Sequence, residues 1–447
     1  MKRIYLLLCS AAVAGGMYGA DFEDAQTAVD NMRIGWNLGN TLDSNSSDPA
    51  NMWIEKYNDC TPADFETAWG QPAATRELIH MFKEAGFNAI RVPVTWYPHI
   101  GNTIELIKSN DGVWDKSQWE GYEVDPEWMA RVHEVVDYVI DEGMYCLLNV
   151  HHDTGGADAA WIVADPEVYN QQKDRFESLW TQIATEFRDY DEHLLFEGYN
   201  EMLDKYKSWC FATFNTSSKY IKADAEAAYG AVNSFAQSFV NAVRATGGNN
   251  ACRNLVINSY GACNGSGTWN SHLDDPLINL NLPEDDARNH IIFDVHSYFD
   301  VTSLSSAKKD VDAVISDVTK YLKSKGAPVI FSEWGTSTGD IDKYHSNLCQ
   351  YARYYVEKAK AAGMATFYWM VLSEMEDRAV PTWSVPDLKD AIVKGYYGDE
   401  GYGSLDDVII DAETLTEAPV YNLQGIRVGG SLTPGIYLQA GKKFIVR

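Results

Sequence analysis

Eight apolar runs of strand length, most of them separated from the next by a segment with helical periodicity, constrain the fold of this chain more than any other feature. The runs are Arg33 to Asn37, Ala89 to Pro93, Tyr145 to Val150, Leu194 to Tyr199, Leu255 to Asn258, Ile291 to Val295, Pro328 to Ser332 and Ala365 to Trp369. Between them, Thr75 to Ala85, Pro126 to Glu142, Tyr169 to Arg188, Ala223 to Thr246, Ala307 to Lys325 and Ser346 to Ala362 repeat apolar residues at helical spacing. Gly86, Gly143, Gly247, Gly326 and Gly363 each follow a helical segment and precede the next strand, the position of a left-handed cap. Strands apolar on both faces and alternating with helices belong in a parallel sheet covered on both sides, and eight of them predict an α/β fold, a closed (β/α)8 TIM barrel. The alternative is an open doubly wound sheet. It leads one to expect a Gly-rich phosphate turn after the first strand, where this chain has Asn37-Leu38-Gly39-Asn40.

With 447 residues, 45% of them hydrophobic, the chain has room for one large barrel and a tail. Lys2 and Arg3, the apolar stretch from Ile4 to Ala14 and the small residues Gly15, Gly16, Gly19 and Ala20 have the layout of a secretory signal, so residues 1–20 are set apart from the fold. Cys9 raises a lipid-anchored signal as an alternative, against which bulky Leu8 speaks. The barrel is expected over 21–400, a linker over 401–419, and a short β-rich segment over 420–447, where Val420 to Gly425, Pro434 to Tyr437 and Phe444 to Arg447 alternate around Gly-rich turns. No other stretch approaches the roughly 20 apolar residues of a membrane span. A formal charge of −28 repels nucleic acid and anionic membranes and leaves neutral substrates open. Outside the signal there are six cysteines, Cys60, Cys146, Cys210, Cys252, Cys263 and Cys349; Cys252 and Cys263 are nearest in sequence, Cys146 reads as a buried thiol, and the pairing stays open. None has CxxC spacing, which speaks against zinc.

A barrel of this kind carries its chemistry at the C-terminal ends of the strands. Those ends supply Asn37, Arg91, His151, Asn200 with Glu201, Asn258 with Tyr260, His296 with Tyr298, Glu333 and Trp369. Glu201 and Glu333, at the fourth and seventh ends, are the strongest pair. Retaining glycoside hydrolysis needs one protonated and one ionised carboxyl group about 5 Å apart. Glu201 is the expected general acid and base, its proton held by the nearby charge of Glu333; Glu333 is the expected nucleophile, kept ionised by Arg91 and Tyr298. Asn200 is suited to donate to a sugar 2-hydroxyl, and His151 and His296 to bind a hydroxyl or a carboxylate. Each has a structural alternative: a rim salt bridge for the glutamates, a barrel ion pair for Arg91, a buried imidazole for the histidines. His151-His152-Asp153 invites a metal, but neighbours on a strand point to opposite faces, so no metal is assigned and no cofactor is expected. Trp369 is the expected sugar platform, followed by Trp96, Trp209, Trp269 and Trp334.

These residues resemble glycoside hydrolase family five, and most closely its fourth subfamily of endo-β-1,4-glucanases and xyloglucanases. The matching stretches are Gly35 to Asp43, Glu66 to Gly70, Gly86 to Trp96, Asn149 to Asp153, Leu195 to Glu201, His296 to Tyr298, Ser332 to Gly335 and Trp369. The resemblance implies a retaining endo-β-1,4-glucanase acting on cellulose, mixed-linkage glucan or xyloglucan, with Glu201 as acid/base and Glu333 as nucleophile; the N-terminal signal adds that it is secreted. It implies support from Arg91, His151, Asn200, His296, Tyr298 and Trp369. Met202 departs from the family pattern, which has proline after Asn-Glu, and this bears on the following loop. Tyr421 to Arg447 resembles the C-terminal sorting segments of exported Bacteroidetes-type proteins, which implies surface attachment; a small strand pair is the structural alternative. A β-mannanase on the same scaffold, or a non-catalytic carbohydrate-binding protein, are the competing functions.

Overall fold

The computed structural model describes residues 22–369, 376–399, 402, 419–422, 427–428, 435–439 and 442–446. The expected signal peptide and nearly all of the expected linker lie outside these residues. The eight apolar runs become β1 (Ile34–Asn37), β2 (Ala89–Val92), β3 (Tyr145–Asn149), β4 (Leu194–Glu197), β5 (Leu255–Asn258), β6 (Ile291–Phe299), β7 (Val329–Thr336) and β8 (Ala365–Tyr368). They pair in sequence order, all parallel, and β8 bonds back to β1, which closes the barrel. The principal helices between them are Arg76–Ala85, Pro126–Asp141, Pro166–Glu186, Lys222–Ala245, Leu304–Tyr321 and Ile341–Ala361, with Pro386–Tyr397 after β8. Their ends follow local chemistry. Asp125 and Asp165 each accept a hydrogen bond from the second residue of a helix that opens with proline. Gly86 (φ 101°) and Gly326 (φ 99°) take the left-handed conformation that stops a helix before a strand.

The two-residue period of the strands divides each into an outward and an inward set. Outward residues such as Ile90, Val92, Leu148 and Phe196 join the main core under the helices. The lower inward layer, Ala89, Leu147, Leu195, Val256, Ile292, Ile330 and Phe367, forms a separate apolar core inside the barrel. The helix Ala25–Met32 completes it with Ala28, Val29 and Met32. Gly35 completes this layer by leaving room: a Cβ there would stand 2.3 Å from the Phe367 ring. Two residues further along, the inward positions of β1 to β7 turn polar. Asn37, Arg91, Asn149, Glu197, Asn258, Asp294 and Ser332 are all fully buried. A layer of that kind survives only if its members satisfy one another.

Three features differ from the sequence expectation. β4 ends at Glu197 instead of Tyr199, and β6 and β7 each extend four residues further than the apolar pattern indicated. The extension of β7 contains a bulge: Phe331 pairs with Thr366 but Trp334 with Tyr368, and on the other side Ile330 pairs with Asp294 but Glu333 with His296. One extra residue on β7 lets neighbouring Ser332 and Glu333 both face the polar layer. The tail forms an antiparallel sheet from Val420–Asn422, Arg427–Val428, Gly435–Gln439 and Lys442–Val446, more than a strand pair. Cys252 and Cys263 lie beyond opposite ends of β5, so their nearness in sequence does not bring them together; Cys146 is buried, and Cys60, Cys210, Cys263 and Cys349 are also free thiols.

Candidate active site

Arg91, on β2, organises the polar layer. Its guanidinium donates from Nε and Nη2 to the two oxygens of Glu197, at 2.6 and 2.7 Å, and from Nη1 to Glu333 Oε1 at 2.6 Å. Nη1 also reaches Asn37 Oδ1 at 3.0 Å, and Nη2 reaches Asn200 Oδ1 at 2.8 Å. The planar fork therefore fixes two carboxylates and two amides at once, which a lysine ammonium could not do. Asn149 and Asn258 complete the shell by donating to Glu197 Oε1 at 3.3 and 3.2 Å.

Glu333 is tied on both oxygens. Oε1 meets Arg91 and, at 3.9 Å, His151 Nε2; Oε2 accepts the Tyr298 hydroxyl at 2.6 Å and lies 3.5 Å from His296 Nδ1. Burial pushes the Glu333 carboxyl up, but His296, Arg91 and the Tyr298 hydroxyl together outweigh burial and hold it below the usual carboxylate value. Glu201 lies four residues beyond the end of β4 and is partly exposed at the rim of the cleft. Its Oε1 receives His296 Nδ1 at 2.9 Å. One carboxylate oxygen of Glu201, one of Glu333 and a nitrogen of His296 all lie within 4.8 Å of one another.

His296 thus stands between the two glutamates. Burial works against its charge, yet Glu333, Asp294 and Glu201 push its pKa up to about 10, so both nitrogens carry protons near neutrality. The second one, Nε2, meets Ser332 Oγ at 3.0 Å, and Ser332 in turn donates to Asp294 from its hydroxyl and from its backbone N–H at 2.8 Å. His151 is the contrasting case: burial, with His152, Arg91 and His296 adding to it, holds its pKa well below the ordinary histidine value, and it stays neutral.

Besides His296, which stands between the two glutamates, the residues singled out from the strand ends fall into three groups. Glu201, Glu333, His151, Asn200, Tyr298 and Trp369 line one cavity of about 370 Å³. Asn200 has given its oxygen to Arg91, so its NH2 is the group left for a ligand. The Trp369 ring lies parallel to His151 at 5.6 Å, with its wall closed by Gly39, where a Cβ would stand 2.6 Å from the indole. Asn37, Arg91 and Asn258 lie beneath the cavity, fully buried, with no exposed face for a sugar: Arg91 and Asn258 hold carboxylates, and Asn37 accepts from Arg91 while its NH2 donates to Ser332 O at 2.8 Å. Tyr260 is buried as well, and it ties the loop after β4 by donating to Ser208 O at 2.8 Å and accepting from Asp204 N at 3.1 Å.

The tryptophans separate sharply. Trp96 and Trp334 are fully buried core residues, so neither is a platform: Trp96 is held by Asn149 O, and Trp334 stacks on Tyr355 at 4.3 Å. Trp209 and Trp269 are exposed, 42% and 59%, and border a second hollow of about 290 Å³ that Glu201 shares. Met202, without the family's proline, is fully buried, and its carbonyl accepts from Gly261 N at 2.9 Å. A larger hollow of about 1490 Å³ lies away from this region beside Asn233, Arg244 and Glu284; its partly buried cations are already engaged, Arg244 with Asp285 at 2.8 Å and Lys325 with Leu277 O at 2.7 Å.

Sequence reasoning missed Glu197, Asn149, Asp294 and Ser332. Their signal was available: each is a polar residue one pleat after an inward apolar position. Asp43 and His152 were also passed over as a pair. His152 lies beyond the end of β3, where the pleat no longer separates neighbours, and its ring centroid is 4.5 Å from that of His151.

Comparison with known proteins adds an independent line. Residues 53–374 match the family model described as Cellulase (glycosyl hydrolase family 5). Cellulase/esterase CelE of Acetivibrio thermocellus is 32% identical over 82% of the chain, and the chain spans 40% of that longer protein. A GH5-4 broad-specificity endoglucanase from an uncultured bacterium is similar in structure, with a TM-score of 0.76 and 46% identity over 86% of this chain and 98% of that one. A family 5 enzyme from Prevotella bryantii, solved as a mutant with a xyloglucan tetradecasaccharide, gives a TM-score of 0.68 and 37% identity over 84% and 99%.

Proposed function

Since the chain belongs to glycosyl hydrolase family 5, we propose that its endo-β-1,4-glucanase reaction is a double displacement, with Glu333 as nucleophile and Glu201 as acid and base. The observation that carries this reading is the approach of the two carboxylates to within 4.8 Å. That spacing suits a retaining enzyme, at about 5 Å, and leaves no room for the water that an inverting pair must accommodate at roughly 6.5 Å or more. In the first step a Glu333 oxygen bonds to the anomeric carbon as the glycosidic C–O bond breaks, and Glu201 gives its proton to the departing oxygen. In the second, Glu201 takes a proton from water, whose oxygen displaces Glu333 and releases the sugar with its configuration kept.

The unequal surroundings of the two glutamates support unequal roles. Glu333 is buried and held ionised by Arg91, His296 and Tyr298, as a nucleophile requires; Glu201 is at the rim, where a leaving oxygen and then a water can reach it. His296, bonded to Glu201, positions it. Trp369 offers a ring face to the sugar that becomes attached to Glu333, and Trp209 and Trp269 flank the hollow on the leaving-group side. The likeness to the xyloglucan-bound Prevotella bryantii enzyme supports β-glucan backbones, with xyloglucan among them. The signal-like residues 1–20 and the sorting-like segment 420–447 support an exported protein attached to the cell surface, with the catalytic domain over 21–400.

The test uses an aryl cellobioside with a good leaving group. Glu333→Gly is inactive and is rescued by azide to give the α-glycosyl azide; Glu201→Gly with azide gives the β-product. The opposite pattern of products reverses the two roles, and full activity in both variants removes the mechanism. Product masses from xyloglucan, unbranched β-glucan and galactomannan then define the substrate, and turnover of galactomannan alone would assign the chain to the mannanases.

A further inference from the structure

Next to Glu333, the wall of the cleft holds a cluster in which Asp43 and His152 have no part in the double displacement, while His151 borders it. Asp43, on the loop after β1, is fully buried. Its Oδ1 accepts from Thr41 N at 2.8 Å, but Oδ2 has no hydrogen-bond partner among the described residues. A buried carboxylate oxygen without a donor is an uncompensated cost of about 1–3 kcal/mol or more. The group that faces it is His152 Nε2, 3.7 Å away. That distance is too long for a hydrogen bond. It is close to the roughly 3.4 Å that separates two ligand atoms around a tetrahedral ion when each is about 2.0–2.2 Å from the metal.

His151 supplies a third donor. One ligand atom from each of Asp43, His151 and His152 lies within 4.8 Å of the other two, so movements of well under a side chain's width would gather them on one ion. Trp69 rests against the His152 ring at 5.4 Å and steadies it, its own Nε1 tied to Asn45 O at 3.1 Å. His152 is partly exposed to the cleft, which gives an ion a route in and leaves its fourth position facing water.

We propose that Asp43, His151 and His152 form a binding site for a divalent transition-metal ion, Zn²⁺ or Cu²⁺, and that its occupancy blocks hydrolysis. Two imidazoles and one carboxylate oxygen suit these ions; Mg²⁺ and Ca²⁺ call for more oxygen ligands than the pocket offers. The block follows from His151. One of its nitrogens meets Asn149 Nδ2 at 3.0 Å, and the other faces Glu333 Oε1 at 3.9 Å. Ligation takes one of these nitrogens away, and it places a dication beside the carboxylate that must attack carbon. Metal and substrate are therefore alternatives.

The full chain, freed of metals, is titrated with ZnCl₂ or CuCl₂ alone by equilibrium dialysis, and in parallel its rate on a soluble β-glucan is followed. One ion binds per chain at this site, inhibition is competitive with the glucan, and Mg²⁺ and Ca²⁺ have no effect. Asp43→Asn and the partly exposed His152→Gln each weaken binding by about tenfold or more. Three other clusters among the described residues could hold an ion: His345 with Cys349 and Asp387 near the surface, Glu197 with Asp294 and His296, and Glu201 with His296 and Glu333. His345→Asn controls for the first and leaves inhibition unchanged. Binding that persists unweakened in His152→Gln, inhibition abolished by His345→Asn, or no stoichiometric binding in the wild type overturns the proposal. The dialysis result does not depend on the catalytic roles of Glu201 and Glu333, so its failure is distinguishable from theirs.

Discussion

Removing one hydroxyl, in Tyr298→Phe, tests how the site keeps its nucleophile ionised. The Tyr298 oxygen donates to Glu333 Oε2 at 2.6 Å, and Glu333 is only 5% exposed, so water cannot replace the lost donor well. A hydrogen bond to a charged group is worth about 1.5–3 kcal/mol, and one pKa unit corresponds to about 1.4 kcal/mol, so the Glu333 carboxyl should rise by roughly one to two units. Arg91 and His296 remain, and they keep it from rising further. The sign follows from the direction of the shift. Glu333 is held below the ordinary value and reacts only when ionised, so kcat/KM is full above its pKa and is lost as pH falls through it. In Tyr298→Phe that acid limb moves toward neutrality by roughly one to two pH units, while the ring keeps its packing. The measurement is kcat/KM of an aryl cellobioside across the acid range, with circular dichroism to exclude unfolding at each pH. An acid limb that stays in place, or moves to lower pH, refutes the assignment of Tyr298 and Glu333 as an electrostatic unit.

Arg91→Met leaves buried Glu197 without its two charged donors and should cost about 3–5 kcal/mol of stability, read as a fall in Tm by calorimetry; an unchanged Tm contradicts the account of the polar layer. Arg91→Lys should not restore it, because one ammonium cannot serve Glu197 and Glu333 together. Gly39→Ala puts a methyl group 2.6 Å from the Trp369 indole and displaces the ring; loss of about 0.5–1.5 kcal/mol of stacking raises KM for cello-oligosaccharides roughly two- to tenfold with kcat nearly constant. Trp269→Ala should raise KM for long glucans and leave Tm unchanged. Trp96→Ala should do the reverse, destabilising by about 3–5 kcal/mol with little change in KM among folded molecules.

The barrel was legible because strand and helix periods are local. Each apolar run had to bury both faces, and eight such runs separated by helices have few ways to do so except by closing. Glu201, Glu333, Arg91, His151, Asn200, His296, Tyr298 and Trp369 could be singled out because barrel chemistry gathers at strand ends, and the structure brings all eight to one cleft or to the layer beneath it. Asn37 and Asn258 were found by the same rule, but they anchor Arg91 and Glu197 instead of facing the cavity. Trp96 and Trp334 were grouped with Trp209 and Trp269 because loop position alone cannot tell an indole under the rim from one above it.

The sequence by itself determined the alternation, the helix stops and the residue types at the mouth of the barrel, since these depend on neighbours three or four positions away. Tertiary structure decided the rest. The bulge on β7 turns Ser332 and Glu333 to the same side, and only pairing with β6 and β8 on either flank reveals the extra residue. Glu197 became the second partner of Arg91 because strands distant in the chain set their polar positions at one height inside the barrel. Asp43 and His152, 109 positions apart by number, meet at 3.7 Å because the closed barrel brings the loops after β1 and β3 together at its mouth. Periodicity is a property of a segment, whereas charge pairing, exposure and the unequal surroundings of two glutamates arise from what the closed barrel places opposite each residue.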